Sequence, residues 1–150
     1  MVDDSAPDPT IEELKKRVGF GLKLWLEFEI DVPQEKRRKK AKTHDKNILG
    51  SGWANLLKTI KGSGKLKEKQ SLTQAAEECG YSYKYAWNIL SRIKEKTGLS
   101  PVTTSKGGRG GGGWIELSEW GIYLLETYET LKTELEKVEQ NLQKSLIKEK

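Results

Sequence analysis

The sequence has little of what most catalytic and metal sites require. Its 150 residues include one cysteine, Cys79, and one histidine, His44. A single cysteine forms no intramolecular disulfide, and one residue of each type leaves no Cys/His cluster for a structural zinc ion. His44 lies in a lysine-rich run, so neither a Ser/His/Asp nor a Cys/His catalytic arrangement can be assembled around it. The sequence therefore predicts no enzyme, no metal site and no cofactor.

Long apolar runs are also missing. Apolar residues make up 35% of the chain and charged residues 33%, and no segment approaches the ~18 consecutive apolar residues of a membrane span. The start of the chain is acidic and has neither the basic nor the apolar region of a secretion signal. We therefore expect a cytoplasmic protein without a membrane span, of a length typical of one ordinary domain.

What the sequence has in excess is positive charge, concentrated in the middle of the chain. Residues 36–113 carry eighteen Lys and Arg against five Asp and Glu, a net charge of +13. The flanking residues 1–35 and 114–150 have net charges of −5 and −3. Such asymmetry favours a polyanionic partner, most commonly nucleic acid, although a lysine-rich surface also serves solubility alone.

The first part of the chain predicts a flexible start, a strand and a basic loop. Residues 1–20 are interpreted as a flexible segment with one short helix, which begins at the capping-box sequence Thr10-Ile-Glu-Glu13. Strict alternation over 21–30 predicts a half-buried strand. Residues 36–46 have no aliphatic side chain larger than alanine, so we expect the basic loop over 33–46 to be mobile. A first core helix is then predicted by four apolar residues at helical spacing: Trp53, Leu56, Leu57 and Ile60.

Two helices joined by a tight glycine turn come next. Ser71 or Thr73 can cap a short helix that ends before Gly80, and Gly80 then supplies the turn. Ser82 can cap a second helix over 82–97. This layout is typical of a helix-turn-helix, in which the second helix enters the major groove of DNA.

A glycine-rich hairpin follows the two helices. Residues 99–117 contain two β-like stretches around a glycine run, which in this position predicts a wing. Because a two-stranded hairpin is marginally stable alone, we expect the strand over 21–30 to complete its sheet. Lys106 and Arg109 are the charged residues of the glycine-rich loop. They favour contact with a narrow minor groove, although a glycine run also closes a hairpin without such a role.

The helix over 82–97 has two faces of different chemistry. Its apolar face is predicted to be buried and carries Ala86, Ile89, Leu90 and Ile93. The opposite face carries Lys84, Tyr85, Asn88, Ser91 and Arg92. Asparagine can form a bidentate pair with adenine. Lysine and arginine can pair with guanine. The serine and tyrosine hydroxyls and the N-terminus of the helix at Ser82 are suited to phosphates. Alternatively, this polar face is only a solvated surface. Tyr83 and Trp87 lie at the edge of the apolar face, and we expect them to be core or seam aromatics.

Residues 118–150 predict one long helix with an apolar seam. Six residues follow heptad spacing: Leu124, Tyr128, Leu131, Leu135, Val138 and Leu142. A helix of about 30 residues is ~45 Å long, which exceeds what a small core covers. We therefore expect the seam to pair with that of a second chain, so that the protein forms a dimer. The alternative is that its first half packs on its own core while the tail frays.

Three strings within residues 47–130 occur in a specific order. They are Leu56-Leu-Lys-Thr-Ile60, Gly80-Tyr-Ser-Tyr-Lys-Tyr-Ala-Trp87, and the glycine run Gly107–Gly113 followed by Ile115-Glu-Leu-Ser-Glu-Trp-Gly121. This order resembles the DNA-binding domain of the molybdate-responsive (ModE) transcription regulators, a LysR-like winged helix. The resemblance implies a dimer held by the first and last helices, which binds a palindromic operator. The DNA-binding residues that it implies are Ser82, Tyr83, Lys84, Tyr85, Asn88, Lys106 and Arg109. Family members that sense molybdate use additional C-terminal domains, so no small-molecule effector is expected within these residues.

Together these patterns predict a mainly α-helical protein with a small β-sheet. A winged helix-turn-helix is assigned to 21–117 and a dimerisation helix to 118–150. The predicted function is a homodimeric, sequence-specific transcription regulator that binds double-stranded DNA. Two alternatives stay open: an architectural protein that coats DNA without sequence choice, and an adaptor that binds protein through its long helix.

Overall fold

The computed structural model describes residues 6–29, 46–62, 71–105 and 113–148. In chain order its elements are α1 (Ile11–Lys15), β1 (Leu26–Glu27), β2 (Asn47–Leu49), α2 (Ser51–Gly62), α3 (Leu72–Cys79), α4 (Tyr83–Thr97), β3 (Val102–Ser105), β4 (Trp114–Leu117) and α5 (Glu119–Lys148). The structure is mainly helical with small antiparallel sheets and a long last helix, as predicted. The chain divides into two compact units, one of residues 23–132 and one of residues 1–22 with 133–150.

The turn between α3 and α4 is built by local capping interactions. Ser71 Oγ accepts a hydrogen bond from the backbone N–H of Gln74 at 3.1 Å, and Ser82 Oγ accepts one from the N–H of Tyr85 at 3.0 Å. Gly80, with φ 76°, lies in the left-handed region that favours glycine. A second left-handed glycine ends α4. The predicted order of helix, glycine turn and helix is confirmed.

The core of the unit 23–132 forms where apolar faces of α2, α3, α4 and α5 are buried together with residues from the strands. The predicted apolar face of α4 is part of it: Ala86, Ile89, Leu90 and Ile93. Ala75 and Ala76 of α3 are buried as well, and their small side chains allow the helices to cross closely. Each buried Leu or Ile contributes about 1.5–3 kcal/mol of transfer free energy, so this core fixes the orientation of α4.

The start of α5 is fixed to the backbone that precedes β3. Ser118 Oγ donates a hydrogen bond to the carbonyl oxygen of Ser100 at 2.8 Å, and the Ser118 N–H donates one to that of Pro101 at 2.9 Å. In the first turn of α5, a Cβ at Gly121 would overlap the carbonyl oxygen of Pro101. A glycine is therefore required here by a close approach of two backbones.

The β-structure differs from the prediction in two respects. The face that the alternation over 21–30 predicts to be buried is only partly so. Leu24, Leu26 and Phe28 pack partly buried against the core, whereas Leu22 is 39% exposed and Ile30 lies outside the described residues. Within the described residues 21–29, only β1 forms a strand. It pairs antiparallel with β2, whereas β3 and β4 form a separate two-stranded sheet. The prediction that this strand completes the wing sheet is therefore wrong. Its partner β2 has three residues, too few to show a periodicity in the sequence.

In the unit of residues 1–22 and 133–150, α1 begins at the predicted capping box. Thr10 Oγ1 accepts from the N–H of Glu13 at 3.1 Å, and the Glu13 carboxylate accepts from the N–H of Thr10 at 3.1 Å. None of the residues of α1 is buried.

Among the helices that the structure describes, none is both long enough and apolar enough to cross a membrane.

Burial of Tyr128 links the stability of the unit 23–132 to alkaline pH. This side chain is 4% exposed, and burial raises the pKa of its hydroxyl above the ordinary 10.0. The pKa of this hydroxyl is higher in the folded than in the unfolded state. Its contribution to the unfolding free energy is therefore complete below about pH 10 and is lost as the pH rises through the folded pKa. We expect Tyr128→Phe to reduce the fall in unfolding free energy between about pH 9 and about pH 11. Urea titrations at both pH values test this, and an equal fall in both proteins would contradict it.

Candidate nucleic-acid interface

The exposed face of α4 brings most of the predicted DNA-binding residues together. Five of its side chains are exposed: Tyr83, Lys84, Tyr85, Asn88 and Arg92. Ser91 is half-buried at the edge of the same face. The described part of the chain does not bury this face. It therefore presents cationic, amide and hydroxyl groups, the three kinds that read bases and bind phosphates.

The N-terminus of α4 is held in place by Tyr81, which the sequence analysis did not single out. The Tyr81 hydroxyl donates a hydrogen bond to the carbonyl oxygen of Gly52 in α2 at 3.0 Å. Its ring meets the ring of Tyr85 edge to face, with the centroids 5.0 Å apart. Burial raises the pKa of the Tyr81 hydroxyl above its ordinary value of 10.0. This contact ties the turn before α4 to α2.

Ser82 has two roles at this end of α4. Its Oγ accepts the capping hydrogen bond from Tyr85, and the residue itself is exposed. The hydroxyl proton is not used by that bond, so it can be donated to an external acceptor. The predicted phosphate contact of Ser82 is thus compatible with its capping role.

A cleft of about 500 Å³ lies between the first half of α4 and the β3–β4 hairpin. Three aromatic side chains that line it are exposed: Tyr83 by 55%, Trp87 by 50% and Trp114 by 40%. The prediction of a core position for Tyr83 and Trp87 is therefore wrong, and their alternative assignment as seam aromatics stays a prediction. Smaller side chains of α4 fill the core, and both rings, four residues apart on one flank of the helix, are left in the cleft.

Among the described lining residues, Tyr83 and both tryptophans contribute a hydroxyl and indole N–H groups. Further hydroxyls belong to Ser71, Thr73, Thr104 and Ser105. Among the described residues that line the cleft, no side chain carries a charge. The cleft thus combines aromatic surface with neutral hydrogen-bond donors, and it shares Tyr83 with the exposed face of α4.

Several predicted contact residues lie outside the described residues. These are Lys106 and Arg109 of the glycine-rich loop, and all but the last residue of the basic loop over 33–46. Their contacts stay predictions.

The residues predicted for the dimer seam of α5 divide into two groups. Leu124 and Tyr128 are 3% and 4% exposed, because they pack in the core of their own chain. The later positions are exposed or half-buried: Leu131, Leu135, Val138 and Leu142. A seam for a second chain would therefore begin at Leu131, and dimerisation stays a prediction.

The Cys79 thiol is half-buried and donates a hydrogen bond to Thr59 Oγ1 at 3.4 Å, as a small residue packed beside α2. Within the described ranges, no three His, Cys, Asp or Glu side chains are grouped so that they could hold a metal ion.

Comparison with known proteins finds a partial match to transcription regulators. No protein-family model matches the chain. It is 35% identical over 77 residues to the DNA-binding transcriptional dual regulator ModE of Escherichia coli (strain K12) and to the transcriptional regulator ModE of Shigella flexneri. It is also 35% identical over 78 residues to the transcriptional regulator ModE of Yersinia pestis. The match spans only 27% of the length of each of these relatives. It nevertheless confirms the resemblance that the motifs indicate: about half of this chain is similar to ModE.

Proposed function

We propose that this chain is a DNA-binding transcription regulator with a winged helix-turn-helix. In this proposal α4 is the recognition helix and the β3–β4 hairpin is the wing. The observation that carries it is the exposed face of α4, which follows a tight glycine turn and is held away from the core by a buried apolar stripe. The similarity to ModE, whose name describes a DNA-binding regulator, supports the same function.

The side chains of this face match the groups that DNA presents. The major groove is about 12 Å wide and admits an α-helix. Asn88 is suited to a bidentate pair with adenine, and Lys84 and Arg92 are suited to the acceptor edge of guanine. The hydroxyls of Ser82 and Tyr85 at the start of α4 are suited to phosphates, which fix the register of the helix on the duplex.

The regulator is proposed to act as a homodimer. Leu131, Val138 and Leu142 are 44%, 48% and 46% exposed, and their spacing of seven and four continues a heptad seam along α5. A two-fold dimer would present two copies of α4 to half-sites about 34 Å apart, so its binding site would be a palindrome. Lys106 and Arg109 are proposed to reach the adjacent minor groove, and the basic loop to add phosphate attraction.

A selection experiment tests the function. The full chain is equilibrated with a library of random DNA duplexes, and the enriched sequence is compared with random duplex at physiological salt. We expect enrichment of a palindrome and a specificity ratio of about 10³ or more, as for other sequence-specific DNA-binding proteins.

The same experiment separates the alternatives. A specificity ratio near one would contradict the regulator and favour the architectural protein that coats DNA. Failure to bind any duplex would favour the adaptor that binds protein through α5.

A further inference from the structure

The cleft between α4 and the β3–β4 hairpin is a second surface with features of a binding site. Isolated exposed apolar residues are ordinary on protein surfaces, whereas grouped ones mark sites of interaction. Here the rings of Tyr83, Trp87 and Trp114 line a single cleft, each at least 40% exposed. Tyrosine and tryptophan combine a large apolar area with a polar end, which suits an occupant that is partly apolar and partly hydrated.

We propose that this cleft seats one DNA strand through uncharged contacts. Trp87 and Trp114 pack against deoxyribose, and the hydroxyls of Thr73 and Thr104 donate hydrogen bonds to the adjacent phosphates. The inference rests on the proposed function and deepens it, because it assigns part of the affinity to residues without charge.

The chemistry of the lining favours a sugar-phosphate strand. Such a strand alternates apolar sugars with hydrogen-bond acceptors, and the cleft offers aromatic rings together with hydroxyls. Ser71 contributes as well, since its Oγ accepts the capping bond from Gln74 and its proton is left for a phosphate. Hydroxyl contacts to phosphate are common in protein–DNA interfaces and carry no sequence information.

The position of the cleft fits the same occupant. Tyr83 belongs both to the cleft and to the exposed face of α4, so the two surfaces are continuous. A duplex whose major groove receives α4 therefore brings one of its strands to the cleft. The contacts made there are independent of the bases, because both rings and hydroxyls meet only the backbone.

The test uses the salt dependence of binding. Contacts from lysine and arginine release counterions, so their loss flattens the slope of log K against log salt concentration, whereas loss of an uncharged contact leaves it unchanged. We expect Trp87→Ala and Trp114→Ala each to lower the affinity of the full chain about tenfold, on the enriched duplex and on random duplex alike. The loss should be equal at every salt concentration from about 50 to about 200 mM. Thr104→Val, which keeps the shape of the side chain, should lower the affinity several-fold in the same way.

A matched control has the opposite signature. Lys39→Ala with Lys40→Ala is expected to weaken binding to both duplexes and to flatten the salt slope. Circular dichroism and the thermal midpoint of each tryptophan variant verify that it is folded, and Trp87→Phe should restore most of the affinity.

The outcomes are separable. The wild-type chain could bind duplex DNA while the folded variants Trp87→Ala and Trp114→Ala bind it equally well. That result would show that the cleft does not bind a DNA strand, and it would leave the proposed regulator function unaffected. A loss of affinity in the tryptophan variants together with a shallower salt dependence would also contradict an uncharged contact. If the wild-type chain binds no duplex, the proposed function itself fails and this inference fails with it.

Discussion

Replacing Gly121 with alanine is expected to lower the unfolding free energy of the unit 23–132 by about 3 kcal/mol or more. A Cβ at this position would overlap the carbonyl oxygen of Pro101 and would also crowd two further backbone atoms of that residue. A backbone cannot rotate away as a flexible side chain can, so the first turn of α5 must shift. Overpacking of this kind costs about 1–3 kcal/mol. Each of the two hydrogen bonds that Ser118 makes to the same loop adds about 0.5–1.5 kcal/mol when it is lost.

The sign of the effect is informative in this case. Alanine in place of glycine inside an exposed helix stabilises it by about 1 kcal/mol. The matched control is Gly62→Ala in the last turn of α2, where nothing lies within 4 Å of the position of a Cβ. Urea unfolding followed by tryptophan fluorescence should show an unchanged or higher midpoint for Gly62→Ala and a much lower one for Gly121→Ala. Equal midpoints for the two variants would mean that α5 does not approach Pro101 this closely.

The second large effect concerns recognition of sequence by α4. The double substitution Lys84→Ala with Asn88→Ala is expected to lower affinity for the enriched duplex about 100-fold or more. Each bidentate base contact contributes about 1–3 kcal/mol, and about 1.4 kcal/mol corresponds to a factor of ten. Affinity for random duplex should change only a few-fold, because base contacts add little where the sequence does not match. Fluorescence anisotropy with labelled duplexes measures both values.

Stability and charge controls complete this prediction. Both side chains are exposed, so the unfolding free energy should stay within about 0.5 kcal/mol of wild type. Lys132→Ala removes one positive charge from an exposed position of α5 and should leave the specificity ratio unchanged. An equal loss on enriched and random duplex in the double variant would show that α4 holds the DNA backbone without reading bases.

Much of the candidate site was predictable because its signals are local. Ser82 and Gly80 act within a few residues, so the start of α4 and the turn before it follow from the residue types at those positions. The apolar stripe of α4 then determines which side chains face away from it, and Lys84, Asn88 and Arg92 are exposed as expected.

The role of Tyr81 was not predictable in this way. Its partner Gly52 is 29 residues away in the sequence, and a hydrogen bond from a tyrosine hydroxyl to a backbone carbonyl leaves no pattern. The same holds for the cleft, because Trp87 and Trp114 come from different elements. An aromatic residue beside an apolar stripe is equally consistent with a core position and with a binding surface.

The sequence by itself determined the helices, their caps, the glycine turn and the sorting of charge, since each depends on neighbours along the chain. Only the tertiary structure decided that β1 pairs with β2, that Leu124 and Tyr128 are buried by their own chain, and that α5 approaches Pro101 at a glycine. The physical reason is that pairing and burial depend on which distant surfaces meet. A local pattern shows that a face must be covered, but the segment that covers it is chosen by the packing of the whole unit.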